Sequence, residues 1–141
     1  MRARGFKALS VAGLLALGVG VAAAQEGPAR LGADEARAAL YGHELSGVTE
    51  ITGEAWSECI GHDGRTIFRI GAETNAGRLE IRANGDVCFR YASTNFQRAV
   101  CWTLSREGAR LRFDPIGLDS EAFIVTARPR VSGCDAAAPV V

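Results

Sequence analysis

The sequence has almost no lysine and few histidines. Lys7 is the only lysine among 141 residues, and His43 and His62 are the only histidines. Beyond residue 7 no lysine Schiff base or lysine general base is available, and every permanently basic side chain is an arginine. The chain therefore has few lysine and histidine side chains that could act in acid–base or nucleophilic catalysis.

Recognised catalytic motifs are missing as well. The chain contains no G-x-S-x-G elbow, H-E-x-x-H pair, phosphate-binding loop or dinucleotide fingerprint. Ser57 and Cys59 lie close to His62 in sequence, but an extended strand would separate them, and a histidine beside a turn is usually a surface residue. We therefore predict no catalytic and no cofactor-binding residue.

Two pairs of carboxylates could suggest a glycosidase. They are Glu54 with Glu58 and Asp114 with Asp119. A glycosidase needs two carboxylates that face one another across a cleft. In so small a chain, local pairs of this kind are better explained as solvated positions.

Long apolar runs are absent after residue 24. Before it lie a basic start, an apolar run over residues 8–21 and a small-residue end. A membrane helix, the alternative, needs about 20 apolar residues. The pattern predicts a cleaved signal peptide over residues 1–24, a periplasmic or secreted mature chain and no membrane span. The residues that carry this prediction are the basic Arg2, Arg4 and Lys7 and the cleavage-site residues Ala22, Ala24 and Gln25.

The charge is balanced over the whole chain, with 16 basic and 16 acidic residues. Removal of the segment 1–24 with its three basic residues leaves 13 basic against 16 acidic. A nucleic-acid partner is not expected, because phosphate binding needs a basic surface.

Four cysteines remain in the mature part, namely Cys59, Cys88, Cys101 and Cys134. In an oxidising compartment the default is two disulfides, with three possible connectivities. Cys59 and His62 have a C-x-x-H spacing, but no second metal-ligand pair follows, so we predict no metal and no cofactor.

The chain after the signal peptide divides into three parts. Residues 25–33 carry glycine and proline without apolar periodicity, which predicts a flexible leader. Asp34 as N-cap and Gly42 as terminator predict one short helix. A single β-rich domain is predicted over 34–134 and a disordered tail over 135–141.

Period-two alternation replaces the helical pattern after Gly42. Turns are predicted at Asp63-Gly64 and Asn84-Gly85, and weaker ones at Ala76-Gly77 and Glu107-Gly108. About eight strands follow, and one apolar face requires an antiparallel meander to close into a small barrel or, alternatively, to fold into a sandwich. The predicted strands are residues 43–49, 55–62, 65–71, 78–82, 87–92, 98–105, 110–114 and 122–128.

The alternation also predicts which side chains face inward. Trp56 and Trp102 could stack on a sugar or cap a pocket mouth, but their alternation with apolar neighbours favours core packing. An eight-stranded barrel can be filled by side chains or can hold one small ligand. The predicted inward set is Phe68, Ile70, Leu79, Ile81, Phe89, Tyr91, Val100, Trp102, Leu111 and Phe113.

The register of one predicted hairpin indicates which cysteines form a disulfide. If residues 87–92 pair with 98–105 so that Cys88 faces Cys101, the apolar residues of both strands also share a face. Cys88–Cys101 is therefore the first-choice disulfide. Cys59–Cys134 follows if the first and last strands meet in a closed barrel.

Four short motifs combine turn residues with cysteines and apolar alternation. They are Leu45-Ser46-Gly47, Cys59-x-x-x-Asp63-Gly64-Arg65, Gly77-Arg78-Leu79-x-Ile81 and Asn84-Gly85-Asp86-x-Cys88-Phe89-x-Tyr91. They resemble motifs of a class of small exported bacterial β-barrel-like domains of unknown function. The resemblance covers about residues 40–115 and implies a β-meander and an envelope location without a substrate. The layout is also similar to lipocalin-like barrels and to small periplasmic inhibitor barrels.

Three functional hypotheses follow. The first is a non-catalytic interaction or binding module, whose partner could be an envelope protein or an anionic glycan or lipid headgroup. The second is a lipocalin-like barrel that binds a small amphipathic ligand. The third is an inhibitor of an envelope or secreted hydrolase that uses the loop at Asn95 and Phe96. The candidate anion-binding face, whose alternative is an ordinary solvated exterior, consists of Arg69, Arg78, Arg82, Arg90, Arg110 and Arg112.

Overall fold

The computed structural model describes residues 27–117, 121–130 and 132–134. The predicted cleavage site at Ala22, Ala24 and Gln25 and the predicted tail over 135–141 lie outside the described residues. The fold is mainly β, with one α-helix and one short 3₁₀ turn at Ala92–Thr94.

The helix, α1, spans Ala33–Leu40 and begins earlier than the sequence indicates. Its N-cap is Gly32, whose N–H donates to Oε2 of Glu35 at 2.9 Å. Asp34, the predicted N-cap, lies instead in the acidic first turn, where a carboxylate favours the helix dipole. The helix ends at Leu40, and Gly42, the predicted terminator, follows two residues later with a φ of 72°.

The residues before α1 are packed on the domain. Leu31 is buried, and its N–H donates to the carbonyl of Leu104 at 2.7 Å. The Arg30 side chain pairs with Asp86, whose side chain is largely buried. The domain therefore begins by residue 30, inside the predicted flexible leader, because Leu31 supplies an apolar side chain to the core.

Eight antiparallel strands form a closed barrel in sequence order, as the alternation predicts, rather than a sandwich. Each strand pairs with its neighbours in the chain, and β1 pairs with β8. The strands are β1 His43–Val48, β2 Ala55–Ile60, β3 Arg65–Ile70, β4 Glu73–Ile81, β5 Val87–Tyr91, β6 Ala99–Glu107, β7 Arg110–Pro115 and β8 Phe123–Pro129.

Three of the four predicted turns connect strands, but the turn at Ala76-Gly77 was wrong. Both residues lie inside β4, and the chain reverses instead at Gly71, which has a φ of 53°. Gly77 is required for tertiary packing, because a Cβ there would lie 2.8 Å from the Tyr91 ring and 2.6 Å from the Thr66 hydroxyl. A glycine in a strand marks a close approach as readily as a turn.

The two ends of the barrel differ. At the end where β1 begins and β4 ends, the buried residues of α1 join the barrel core and close the interior. At the other end the interior remains open. The core residues are Leu31, Ala36, Ala39, Leu40, Leu45, Ile60, Leu79, Ile81, Val87, Phe89, Leu104, Leu111, Phe113 and Val125.

Both predicted disulfides are present. Cys88 faces Cys101 in the β5–β6 register, with their Cα atoms 4.1 Å apart. Cys59 bonds to Cys134 with a Cα separation of 5.6 Å. The register argument for the hairpin and the closure of β1 on β8 are confirmed together.

Candidate functional site

Aromatic side chains form a closed ring around the open end of the barrel. Going round, successive ring centroids are 5.6 to 6.3 Å apart, within the range of favourable aromatic pairs. Phe113 braces the ring, since it contacts two of its members at 4.7 and 6.4 Å. The members in order are Trp56, Phe68, Tyr91, Phe89, Trp102 and Phe123.

The ring arises from the strand register. Glu58 on β2 faces Phe68 on β3, and paired residues of neighbouring strands point to the same face. The same rule places Phe89 and Tyr91 on β5, Trp102 on β6 and Phe123 on β8 inside the barrel. Large rings at one level of a narrow barrel then meet their neighbours around its circumference.

The ring bounds a cavity of about 740 Å³. Leu45, Phe89 and Phe113, all buried, line its inner part. The segments after β1 and before β8 line its mouth, where Ile51 is 86% exposed. A concave, mainly apolar site with a few polar groups is typical of small-molecule binding.

Trp56 and Trp102 pack against the core, as predicted, and also line the cavity. Each packs against the core and is only partly buried, because the other side of each ring faces the cavity. The indole N–H of Trp102 donates to the carbonyl of Glu121 at 3.4 Å, which holds the segment before β8 against the ring.

Glu58 is the polar group inside the cavity. It is only 4% exposed, so the prediction that it is a solvated position was wrong. The hydroxyl of Tyr91 donates to Oε2 of Glu58 at 2.7 Å, and the buried hydroxyl of Thr66 also lies beside this carboxyl as a hydrogen-bond donor. Both groups hold the carboxyl in the wall of the cavity.

Burial also changes the acidity of both groups. Desolvation raises the pKa of Glu58 to about 7, and hydrogen bonds from Thr66 and Tyr91 partly oppose this rise. Desolvation and the nearby Glu58 raise the pKa of Tyr91 above its ordinary value, so the phenol stays protonated and acts as a donor. Glu58 can thus change charge near neutral pH.

The inward position of Glu58 could have been predicted from the alternation of β2, although its charge suggests a solvated residue. Glu58 lies two residues from Trp56 and two from Ile60, on the inward face of a strand with period two. A charged residue at an apolar position of this pattern indicates either a bend or a buried functional group. The position of Glu58 in the alternating pattern therefore predicts its burial, whereas its residue type alone does not.

The other catalytic candidates are not assembled into a site in the described part of the chain. Cys59 is bonded to Cys134, and the exposed His62 lies beyond the end of β2. Asp114 accepts a hydrogen bond from Arg112 at 2.9 Å, and Asp119 lies outside the described residues. Within the described ranges no group of three or more His, Cys, Asp or Glu side chains could hold a metal ion.

The predicted arginine face is divided between two sides of the barrel. Arg78 on β4 faces Arg90 on β5 across the outer surface, and Arg65 faces Arg78 from β3. Arg110 and Arg112 lie on β7, which pairs with β6 and β8. Arg69 lies further along β3, and Arg82 follows the end of β4. An anionic partner for either group stays a prediction.

The predicted inhibitory loop lies between β5 and β6. Asn95 and Phe96 have φ values of 50° and 58°, and Phe96 is 41% exposed. The Arg90 guanidinium donates to the carbonyls of Phe96 and Gln97 at 3.3 and 3.0 Å. The loop is therefore held in a defined conformation with an aromatic side chain partly in solvent.

Comparison with protein-family models, with curated proteins and with solved structures finds no match. None of the helices in the described part of the chain has the length and apolar character needed to cross a membrane. The geometry of the cavity is therefore the basis for a functional conclusion.

Proposed function

We propose that this protein is a non-catalytic binding module that holds a small amphipathic molecule in the barrel cavity. The observation that carries the proposal is the closed aromatic ring around a cavity of about 740 Å³ whose lining also includes one buried carboxyl. Apolar walls supply affinity through burial, and a single polar group orients the ligand.

The composition of the site supports binding more than catalysis. Glu58 is the only carboxyl among the buried residues that line the cavity in the described part of the chain. A hydrolytic site would need a second acid or a nucleophile within reach of it. Its buried partner there is a phenol that donates a hydrogen bond.

The two tryptophans of the chain permit a direct test. Both belong to the aromatic ring, so intrinsic fluorescence reports on the cavity. We expect the neutral probe N-phenyl-1-naphthylamine to quench this emission and to gain fluorescence itself, with saturation at a single site. A linear, non-saturating response would overturn the proposal.

A matched pair of variants locates the binding. Ala122 lines the cavity mouth, whereas Ala76 is exposed on the outer face of β4. Ala122→Trp should fill the mouth and abolish probe binding, and Ala76→Trp should leave it unchanged. Equal effects of the two substitutions would place the probe elsewhere on the protein.

Export to the periplasm or the medium is the second part of the proposal. Two disulfides are typical of an oxidising compartment, and the pattern of residues 1–24 is that of a signal peptide. The full-length chain expressed in a bacterium should yield an extracytoplasmic product whose N-terminus is Gln25. A cytoplasmic product that keeps Met1 would contradict it.

Hydrolase inhibition is the second candidate function, favoured by the loop at Asn95 and Phe96. Its left-handed residues, its tether to Arg90 and the adjacent Cys88–Cys101 bond are typical of a preorganised recognition loop. Secreted peptidases and lysozymes are the enzymes to assay, and Phe96→Ala should relieve any inhibition. Inhibition that survives this substitution would exclude the loop.

A further inference from the structure

The ionisable residues that line the cavity are predominantly of one sign. Three carboxylates, Glu50, Glu58 and Glu121, are among them, and no arginine occurs among the lining residues that the structure describes. The chain as a whole has equal numbers of basic and acidic residues, so this segregation is a property of the site. A cavity of this kind disfavours an anionic ligand.

The three carboxylates occupy two depths. Glu50 and Glu121 are exposed at the mouth, where they can attract a cation from solution. Arg112 on β7 has a favourable electrostatic interaction with Glu50 and offsets part of its charge from outside. Glu58 lies inside, where its charge is screened little by solvent.

Glu58 has no counter-charge among the described residues at this depth. Its neighbours Thr66 and Tyr91 are neutral hydrogen-bond donors. A buried carboxylate that lacks a counter-charge is costly, and a cation beside it would remove that cost. The carboxyl is therefore prepared for a positively charged partner that the described residues do not supply.

The aromatic ring reinforces this preference. The faces of aromatic rings carry negative electrostatic potential, and a cation near them is attracted, most strongly by tryptophan. Trp56, Tyr91 and Trp102 all contribute to the cavity wall together with four phenylalanines. Several rings around one carboxylate form the kind of site that accepts an alkylated ammonium group.

We propose that the ligand is an organic monocation, an amine or quaternary ammonium group carried on an apolar body, bound with its charge near Glu58 and its body against the aromatic ring. This inference rests on the proposed ligand-binding function and specifies its ligand class. Because Glu58 must be ionised to attract the cation, binding should release a proton below neutral pH.

A pair of probes of equal shape tests the charge preference on the full chain. Phenyltrimethylammonium and tert-butylbenzene differ by a nitrogen in place of a carbon and by one positive charge. At pH 8 the cation should quench the tryptophan fluorescence with a dissociation constant about tenfold lower than that of the neutral probe. Calorimetry should give one site for each.

Glu58→Gln and Glu54→Gln are the variant and its matched control. Glu54 is exposed before β2 and does not belong to the cavity lining. Glu58→Gln should weaken the cation about tenfold and the neutral probe less than about twofold, and Glu54→Gln should change neither. An equal loss for both probes would overturn the role of the charge.

The pH dependence of the wild-type protein provides a second measurement that does not depend on a variant. The groups facing Glu58 are Tyr91, which stays protonated, and Thr66, while Glu50 and Glu121 lie at the mouth. With the pKa of Glu58 about 7, the affinity for the permanent cation should rise between about pH 6 and pH 8. The affinity for tert-butylbenzene should stay constant.

The outcomes separate the two proposals. If tert-butylbenzene binds as well as the cation, or better, the cavity is a ligand site and the monocation inference is wrong. A pH-independent affinity for the cation would also overturn the inference. If neither probe binds, the proposed binding function fails, and the inference fails with it.

Discussion

The hydroxyl of Tyr91 donates a 2.7 Å hydrogen bond to Glu58 across the interior of the barrel. Tyr91 ends β5 and Glu58 lies in β2, and these strands are not neighbours in the sheet. Replacement of such a buried polar pair by apolar residues of similar volume is often neutral or stabilising. Its presence inside an aromatic cavity therefore supports the proposed ligand-binding function more than a role in stability.

Removal of the donor tests this pair. In Tyr91→Phe the carboxylate loses a hydrogen bond that favours its charged form, so the pKa of Glu58 should rise above about 7. The free energy of unfolding should fall by about 1–3 kcal/mol at neutral pH. Carbon-13 NMR of labelled glutamate side chains measures the first quantity, and urea denaturation measures the second.

Tyr41→Phe is the control for this substitution. Tyr41 follows α1 at the closed end of the barrel and does not line the cavity. The Tyr41→Phe substitution should leave the titration of Glu58 unchanged. A lower pKa of Glu58 in Tyr91→Phe would mean that the hydrogen bond favours the protonated acid instead.

The stability of the protein should depend on pH through Glu58. Its pKa is about 7 in the folded state and 4.5 for a solvated glutamate, so the folded protein holds this proton more tightly than the unfolded chain does. The stabilising contribution is present below pH 4.5 and is lost as the pH rises through 7. Above pH 8 Glu58→Gln should be more stable than the wild type by about 3 kcal/mol.

Urea denaturation from pH 4 to pH 8.5 measures this difference. The comparison of wild type with Glu58→Gln cancels the titration of groups that both proteins share. Glu54→Gln, with its exposed side chain, should follow the wild-type curve at every pH. A wild type that gains stability over Glu58→Gln with rising pH would contradict the buried, proton-retaining carboxyl.

The predictable part of this fold rests on local periodicity and covalent geometry. The pairing of Cys88 with Cys101 follows from one register, because a slip by one residue would turn the apolar side chains outward. The same period places Phe68, Phe89 and Trp102 inside. Closure into a barrel then follows from the need to cover one apolar face.

The remaining part depends on contacts between distant residues. The pair Ala76-Gly77 is typical of a turn in sequence. The structure requires a glycine at position 77 for a different reason, because the Tyr91 ring, which is remote in sequence, packs closely against it. Leu31 lies in a segment without apolar periodicity, and its backbone N–H nevertheless donates a hydrogen bond to the carbonyl of Leu104. The cavity itself requires knowledge of how far the inward side chains fill the barrel, which no local pattern contains.

The two disulfides should contribute unequally to stability. Cys59–Cys134 spans 75 residues and Cys88–Cys101 spans 13. In the chain-entropy model the longer loop stabilises by about 4.5 kcal/mol and the shorter by about 3 kcal/mol. Urea denaturation of Cys59→Ala/Cys134→Ala and of Cys88→Ala/Cys101→Ala under oxidising conditions should show the larger loss in the first. The opposite order would show that native packing around Cys88 outweighs loop entropy.

Gly77 connects the packing of the barrel with the candidate site. A methyl group at this position would lie 2.8 Å from the Tyr91 ring and 2.6 Å from the Thr66 hydroxyl. Thr66 is fully buried, and Tyr91 is held by Glu58, so neither neighbour can move without a cost. Gly77→Ala should lower the free energy of unfolding by about 1–3 kcal/mol.

The same substitution should weaken the hydrogen bond between Tyr91 and Glu58 and reduce ligand affinity, because the displaced ring belongs to the cavity wall. Gly27→Ala is the control, since a methyl group there meets no atom within 4 Å. Denaturation together with titration by phenyltrimethylammonium measures both effects. If Gly77→Ala lowers stability but leaves cation binding intact, the position of Tyr91 is not needed for binding, and the cation must be held by Glu58 and the other rings.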